Sequence, residues 1–355
     1  MKLAVDALGV RPGSAAVVIG NLLQGWTQIA PDDEIVVLTD GPPAFTPPPA
    51  ARIVPLASGG GLPARVWAQS VGVRRACRTM GADALLSAVT AGAPLGAPCR
   101  TGAIVYDVRH ELRPEQFPPA RRLVRRLSYG WTFRRADALF CISDRTRRDV
   151  LAKRPRLAAK THATPLGADH AAGWRPDPAG GPRYLLAFGH FPNKNVAGVL
   201  SAWARYTDDP DAVLRICGLG RDARVAAEKQ VAELGIADRV ELLGWLTDEQ
   251  FRAVFAGAAA ILFPSDFEGF GLPAVEALLL GVPVVVSTDP ALAEVTGGHA
   301  VVAADDRPET LAAAIGEALR RSPEQIAAGV GHARTFTWAR MAAQVRERLA
   351  GTAVA

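Results

Sequence analysis

The chain has 355 residues, of which 49% are hydrophobic and 21% are charged, with a net charge of +5. This length predicts two domains of roughly 150 to 180 residues, and no apolar run reaches the ~18 residues that a membrane-spanning helix needs. Widely scattered cysteines argue against a disulfide framework or a cysteine zinc site; they are Cys77, Cys99, Cys141 and Cys217. The start MKLAVDALGV reads as a β-strand rather than a signal peptide. We therefore expect a cytoplasmic protein.

Charge is divided unevenly along the chain. Residues 1–179 carry 24 Lys and Arg against 14 Asp and Glu, whereas residues 180–355 carry 16 against 21. The basic excess is greatest between residues 100 and 160, with 16 bases and 6 acids. This region lacks interleaved aromatics on strands and any known nucleic-acid-binding module, so nucleic acid is not an expected partner.

Apolar strand-like runs alternate with Ala/Leu/Arg-rich helical stretches throughout, a pattern typical of parallel sheets with crossover helices. Predicted strands cover residues 2–8, 34–39, 82–88, 102–107, 138–143, 183–189, 212–218, 239–244, 258–264, 282–287 and 299–304. The fold class is α/β, with two Rossmann-like doubly wound domains at 1–170 and 180–335. Residues 165–183 have the Gly/Pro-rich composition of a linker, and SGGGLP at 58–63 reads as a loop.

The stretch FPSDFEGFGLPAVEALLLGVPVVVS (263–287) carries the strongest functional signal. Glu268 and Glu276 flank a turn containing Gly269 and Gly271, and Pro273 is predicted to begin a helix, which puts Glu276 in its first turn. Glycines allow backbone N–H groups to approach a ligand, and a helix N-terminus favours a phosphate. Such a site suits a molecule that is charged in the middle and hydroxylated at both ends, as a nucleotide sugar is. The alternative is a pair of solvated, dipole-compensating acids.

A second glycine pattern points elsewhere when it is taken alone. GLGRDA (218–223) matches the relaxed dinucleotide fingerprint, and Glu241 stands where a ribose-binding acid would be expected. The pattern follows the second strand of its domain rather than the first, and no Tyr-x-x-x-Lys motif accompanies it. We therefore do not favour an NAD-dependent dehydrogenase.

The segment EGFGLPAVEALLLGVPVV resembles the E-x7-E signature of the retaining glycosyltransferases of family 4, which have the GT-B fold. The resemblance extends through AFGHFPNKNVAGVLSAWAR, LRICGLGRDARVAAEKQVAELGIADRVELLGWLTDEQF and ALAEVTGGHAVV. It implies transfer of a sugar, with retention, from a nucleoside-diphosphate sugar to a hydroxyl of a glycan, a lipid-linked saccharide or a small natural product. It further implies two domains facing a central cleft, an N-terminal acceptor domain, a C-terminal donor domain, and a last helix within 336–355 that packs on the N-terminal domain.

The same resemblance assigns the donor-binding residues. Glu276 would accept hydrogen bonds from ribose hydroxyls, Glu268 would bind the transferred sugar, and Lys194 would neutralise the diphosphate. Asn193 stands where the family usually has an arginine. The remaining donor-binding positions are Gly13, Gly189, Gly218, Leu246, Gly269, Phe270, Gly271 and Leu272, and Trp245 would lie near the base.

On the acceptor side, the resemblance aligns the family's His-Asp pair with Tyr106 and Asp107. Asp107 and His110 are therefore assigned to catalysis together with Glu268, with His110 supplying an imidazole, although a structural loop histidine is an equal alternative. The family needs no protein nucleophile and no cofactor beyond the donor. Neither Asp208-Asp209 nor Asp305-Asp306 has histidine partners, and no metal site is predicted.

Three interpretations remain open. The Arg-rich segment 119–137 would suit a peripheral contact with an anionic membrane or, as charge runs more often do, a solvated helix face. Tyr106 and Asn193 leave room for a catalytically silent homologue that binds a nucleotide sugar or a transferase acting on a non-sugar acceptor. A nucleotide-sugar epimerase of the same fold is the remaining alternative.

Overall fold

The computed structural model describes residues 1–56, 64, 66–177 and 180–351. The chain forms two compact units, the first from Met1–Gly167 with Thr337–Ala355 and the second from Ala168–Phe336. The loop predicted at 58–63 lies outside the described residues. Within the described residues, no helix has the length and apolar character needed to cross a membrane.

A seven-stranded parallel sheet forms the centre of the first unit, in the order β3-β2-β1-β4-β5-β6-β7. Its inner strands are apolar on both faces, as expected for a parallel sheet covered by helices on each side. The strands are β1 Lys2–Asp6, β2 Glu34–Thr39, β3 Arg52–Pro55, β4 Ala84–Ser87, β5 Arg100–Val105, β6 Ala138–Cys141 and β7 Thr161–Ala163.

Helices cover this sheet, and the last one returns to pack on the first. Gly25 lies directly under the backbone of Trp338, where a Cβ atom would come within 2.5 Å of the Trp338 carbonyl carbon. Arg346 binds Asp33 through Nε at 2.7 Å and Nη2 at 3.0 Å. The helices are Ser14–Ile29, Val73–Met80, Arg109–Leu112, Pro119–Arg135, Asp144–Lys153 and Trp338–Ala350, with a π-helical turn at Ala68–Gly72 and 3-10 turns at Pro114–Gln116 and Pro155–Lys160.

The second unit contains a six-stranded parallel sheet in the order β10-β9-β8-β11-β12-β13. The strands are β8 Tyr184–Phe188, β9 Val213–Cys217, β10 Val240–Leu242, β11 Ala260–Phe263, β12 Val284–Val286 and β13 Val301–Val302. The helices are Val196–Arg205, Arg221–Leu234, Asp248–Ala256, Leu272–Leu279, Pro290–Thr296, Pro308–Leu319 and Pro323–Ala333, with 3-10 turns at Asp169–Gly173, Pro192–Lys194 and Ala237–Arg239.

These two doubly wound parallel sheets confirm the predicted fold class. The sequence prediction missed β3, whose residues are largely exposed, and β7, which has only three residues. The boundary between the two units, at Gly167 and Ala168, falls within the predicted linker 165–183. The start of this stretch is nevertheless packed, since Leu166 is 3% exposed, Ala168 is fully buried and Trp174 is 9% exposed. The Gly- and Pro-rich composition here belongs to an irregular segment that is packed against the protein.

Candidate functional site

The second unit brings two predicted site segments together at the carboxyl ends of β8 and β11. These strands are neighbours at the point where the strand order reverses, which is where open α/β sheets bind ligands. The segment after β8 carries Lys194 and the segment after β11 carries Glu268. Their side chains meet, with Lys194 Nζ 2.5 Å from Glu268 Oε1.

Lys194 is an almost buried cation. It is 7% exposed, and its ammonium lies 4.2 Å from the centre of the Phe263 ring, a cation–π contact. Partial desolvation and the positive charge of Lys194 both lower the pKa of nearby His190. The imidazole is therefore neutral at pH 7, and His190 adds no second positive charge beside Lys194.

Asn193 anchors the loop that carries Glu268. It is 4% exposed; its Nδ2 donates to Phe267 O at 2.9 Å, and its backbone O accepts from Asp266 N at 3.0 Å. On the other side of the loop, Asp289 Oδ2 accepts from Glu268 N at 3.3 Å. Asn193 thus occupies the position where the family resemblance expects an arginine, and its hydrogen bonds hold the loop that carries Glu268.

Glycines at this edge of the sheet are required by close packing. A Cβ atom at Gly189 would come within 2.3 Å of Leu219 Cδ2, and one at Gly271 within 2.4 Å of Leu292 Cδ2. Gly271 has φ 95° and Gly218 has φ 77°, a backbone region that side chains disfavour. Gly189 therefore needs glycine for packing, Gly218 for its backbone conformation, and Gly271 for both.

The other predicted donor-binding positions contribute mainly backbone or edge surface. Phe270 is 2% exposed, and its ring packs edge-on against Phe336 with centroids 5.9 Å apart, so its backbone is the part available to a ligand. Gly269 and Leu272 are half-buried in the same turn. Leu246 is half-buried in the loop after β10, beside Trp245, which is 79% exposed.

Glu276 lies inside the helix Leu272–Leu279, as its fifth residue. The prediction of Pro273 as the first helical residue and of Glu276 in the first turn was wrong, because the left-handed Gly271 caps the helix one residue earlier. Glu276 is 4% exposed, and its Oε1 lies 3.1 Å from Nε2 of His170. No local pattern predicts this partner, since His170 falls in the stretch interpreted as a linker.

The remaining predicted residues lie in the first unit. Gly13, with φ 131°, precedes the helix Ser14–Ile29 after β1. Asp107 follows β5, and its Oδ1 accepts from Arg109 N at 2.8 Å. Tyr106 donates its hydroxyl to Ala88 O at 2.9 Å, and burial raises its pKa. Tyr106 therefore ties the end of β5 to the end of β4.

His110 is buried in the short helix Arg109–Leu112. It is 2% exposed, its ring packs edge-on against Tyr129 with centroids 4.9 Å apart, and both ring nitrogens lack a hydrogen-bond partner. Its Nε2 lies 3.6 Å from Glu111 Oε1, while Glu111 is also bonded by Arg154. Burial lowers the pKa of His110, so a neutral imidazole sits in a closed environment.

Asp6 is a buried acid that sequence reasoning missed. It ends β1 at the reversal point of the first sheet and is fully buried. Its Oδ1 accepts from Leu8 N at 3.1 Å, whereas Oδ2 lacks a hydrogen-bond partner. Burial raises the pKa of Asp6 to about 7. No metal-binding group of three or more His, Cys, Asp or Glu occurs among the described residues.

Comparison with known proteins finds sequence similarity to glycosyltransferases in the second unit. Residues 174–329 match the family model of the glycosyl transferases group 1. The chain is 34% identical over 166 residues to MMP alpha-(1->4)-mannosyltransferase of Mycolicibacterium hassiacum, covering 46% of this chain and 40% of that protein. It is 36% identical over 113 residues to O-antigen chain mannosyltransferase B of Escherichia coli, covering 31% of this chain and 30% of that protein. The chain thus matches less than half the length of these relatives.

Solved structures extend the likeness to the whole fold. The structure of Anabaena Alr3699/HepE in complex with UDP and glucose superposes with a TM-score of 0.75 at 18% identity, covering 99% of this chain and 100% of that one. WaaG, a glycosyltransferase involved in lipopolysaccharide biosynthesis, superposes with a TM-score of 0.71 at 16% identity, covering 98% and 100%. The chain therefore has the GT-B fold, and its residues 174–329 are similar in sequence to glycosyl transferases group 1.

Proposed function

We propose that this protein is a glycosyltransferase that moves a sugar from a nucleoside-diphosphate sugar to a hydroxyl acceptor. The observation that carries the proposal is the pair of buried Lys194 with half-buried Glu268 at the reversal point of the second sheet, with buried Glu276 in the following helix. Buried charges away from a site are rare, because their desolvation is costly. A cation, two acids and a glycine turn match the diphosphate, ribose and sugar of such a donor.

In this proposal each group acts on one part of the donor. Glu276 accepts hydrogen bonds from the ribose hydroxyls, and Glu268 accepts them from hydroxyls of the transferred sugar. Lys194, now paired with Glu268, neutralises the diphosphate, while the backbone amides of Phe270, Gly271 and Leu272 lie nearby. Donor binding then exchanges one anionic partner of Lys194 for another, so the ammonium stays paired throughout.

The reaction requires little covalent chemistry from the protein. The bond between the anomeric carbon and the diphosphate oxygen breaks, and its electron pair goes to the diphosphate, whose developing charge Lys194 stabilises. The acceptor oxygen bonds to the anomeric carbon on the same face, and its proton passes to a diphosphate oxygen. This route gives retention without a protein nucleophile and needs no bound cation.

In the first unit, Asp107 is the group we assign to the acceptor. Its carboxylate follows the carboxyl end of β5 and is half-buried. His110 is buried, and both its ring nitrogens lack a hydrogen-bond partner. This favours a structural histidine over one that contacts a sugar. Gly13, at the start of the helix after β1, stays a predicted donor-binding position.

Relatives suggest two donors for the test. One similar protein is described as GDP-mannose-dependent, and the HepE structures contain UDP or UDP-glucose. We expect the protein, incubated with GDP-mannose or UDP-glucose and no acceptor, to release nucleoside diphosphate slowly. Glu268→Gln should reduce this release at least tenfold, whereas the matched control Glu309→Gln, at an exposed acid of the same unit, should not.

The same assay separates the alternatives. Nucleotide binding without release of diphosphate, with or without acceptors, would instead identify a silent homologue. An isomerised nucleotide sugar in the absence of acceptor would identify an epimerase. Failure to bind any nucleoside diphosphate would contradict the proposal itself.

We further propose that the helix Pro119–Arg135 contacts an anionic membrane while the protein works on a lipid-linked acceptor. Among its described residues only Thr132 and Phe133 are buried. An apolar stripe faces solvent, with Leu123 58%, Leu127 55% and Trp131 43% exposed. Arg121, Arg122, Arg125 and Arg126 flank this stripe, as in helices that lie on membrane surfaces.

Vesicle co-sedimentation tests this contact. We expect binding to phosphatidylglycerol-containing vesicles but not to pure phosphatidylcholine, and Leu127→Ser should weaken it. Val225→Ser, which alters an apolar residue 61% exposed in the other unit, is the control. Equal sedimentation of wild type and Leu127→Ser would assign the helix to a solvated face.

A further inference from the structure

His170 is the partner of the buried acid Glu276. It lies in the 3-10 turn Asp169–Gly173 at the start of the second unit. Its Nε2 is 3.1 Å from Glu276 Oε1, and the side chains are 16% and 6% exposed. Among the described residues, His170 is the one ionisable group within ion-pair distance of this carboxylate.

A buried carboxylate needs such a partner. Without a donor it would bear an uncompensated desolvation cost, and its side chain would be free to leave the geometry that a ribose diol requires. An ionised carboxylate offers about four acceptor sites on its two oxygens. The imidazole nitrogen 3.1 Å from Oε1 therefore restrains the rotamer of Glu276 and leaves the other oxygen for a ligand.

His170 is itself held by aromatic packing. Its ring meets Trp174 edge-on with centroids 5.6 Å apart, and Trp174 packs in the same way on Phe255 at 5.4 Å. The aromatic cluster continues to Phe263, the ring beneath Lys194. The two ends of the proposed nucleotide site thus pack on one continuous aromatic cluster.

We propose that His170 is a positioning residue, which orients the Glu276 carboxylate so that it accepts both hydroxyls of the nucleotide ribose. This inference rests on the proposed function, in which Glu276 binds the ribose. Because His170 acts through Glu276, a substitution at position 170 should weaken only the part of ligand binding that depends on the ribose hydroxyls.

Two substitutions separate the polar contact between His170 and Glu276 from the packing of the His170 ring. His170→Phe keeps a ring against Trp174 and removes Nε2, whereas His170→Gln keeps an N–H donor and removes the ring. Calorimetry with UDP, GDP and their 2′,3′-dideoxy counterparts supplies the readout. We expect His170→Phe to weaken binding of whichever of UDP and GDP binds more tightly about tenfold, the scale of one charge-assisted hydrogen bond between Glu276 and the ribose. The affinity for the 2′,3′-dideoxy form of that nucleotide should change less than about twofold. His170→Gln should recover most of the loss.

The effect of His170→Phe tests the role of His170, and the preference of the wild-type protein for the ribose hydroxyls tests the role of Glu276. Equal weakening of the nucleotide and its dideoxy counterpart by His170→Phe would overturn the inference, as would unchanged nucleotide affinity. Wild-type protein that binds nucleotide without distinguishing the dideoxy form would overturn the ribose role of Glu276, and the inference with it. Should His170→Phe fail to fold, His170→Asn, whose shorter side chain does not reach Glu276, takes its place.

Discussion

Asp6 makes the stability of the protein depend on pH in a direction unusual for an aspartate. Its pKa rises from 3.8 to about 7, first because of burial and then because of the nearby charge of Asp40, against the hydrogen bond from Leu8 N. The folded state therefore holds a proton that the unfolded state releases above pH 4. The contribution of Asp6 to the free energy of unfolding is fully present below pH 4 and is lost as the pH rises through 7.

The size of the effect follows from the shift. About three pKa units correspond to ~4 kcal/mol of unfolding free energy between pH 4 and pH 8. Asp6→Asn replaces the neutral acid by a neutral amide of the same shape, which retains an acceptor for Leu8 N. We expect the variant to match wild type near pH 4 and to exceed it by up to ~4 kcal/mol at pH 8.

Urea unfolding followed by circular dichroism at pH 4.5 and pH 8 measures this difference. Asp32→Asn, at an exposed position in the same unit, is the control and should change neither value by more than ~0.5 kcal/mol. A stability difference between Asp6→Asn and wild type that is the same at both pH values would refute the reasoning. It would mean that Asp6 keeps the same protonation in the folded and unfolded states.

Three further predictions concern the site. Glu276→Gln should weaken nucleoside diphosphate binding about tenfold or more, because the ribose hydroxyls lose charge-assisted bonds, and unchanged affinity in calorimetry would reject the ribose role. Lys194→Met keeps an apolar stem on the Phe263 ring and should weaken binding of a nucleoside diphosphate while leaving binding of the nucleoside unchanged. Equal losses of affinity for both ligands would reject the phosphate role. Lys229→Met, at a position 77% exposed, is the control. His110→Leu should leave donor turnover within about threefold, since the buried nitrogens make no hydrogen bond; a folded variant with a far larger loss would make His110 catalytic.

The fold was largely predictable because parallel strands buried on both faces produce continuous apolar runs. Among the described residues, the sequence pattern predicts all six strands of the second unit and five of the seven in the first. The missed strands lack that signal, since β3 is mostly exposed and β7 is too short to show a pattern. Local composition located the boundary between the units but could not reveal that the segment is packed, because burial of Trp174 depends on Phe251 and Phe255 far along the chain.

The site was predictable only in part, for a related reason. Strand ends and glycine turns mark where Lys194 and Glu268 lie, and the sheet order brings the two together. Pairings between distant segments leave no local pattern, so the contact of His170 with Glu276 was invisible. Burial of a single acid is equally hidden, and Asp6 looked like an ordinary polar residue at a strand end.

The most direct test of the proposed function is a crystal structure of the protein with a bound nucleoside diphosphate. The proposal predicts ribose hydroxyls within hydrogen-bond distance of the Glu276 carboxylate and a diphosphate oxygen on Lys194 Nζ, with Glu268 released from the lysine. A nucleotide bound elsewhere, with Lys194 still paired to Glu268 and Glu276 in contact with His170 alone, would contradict it.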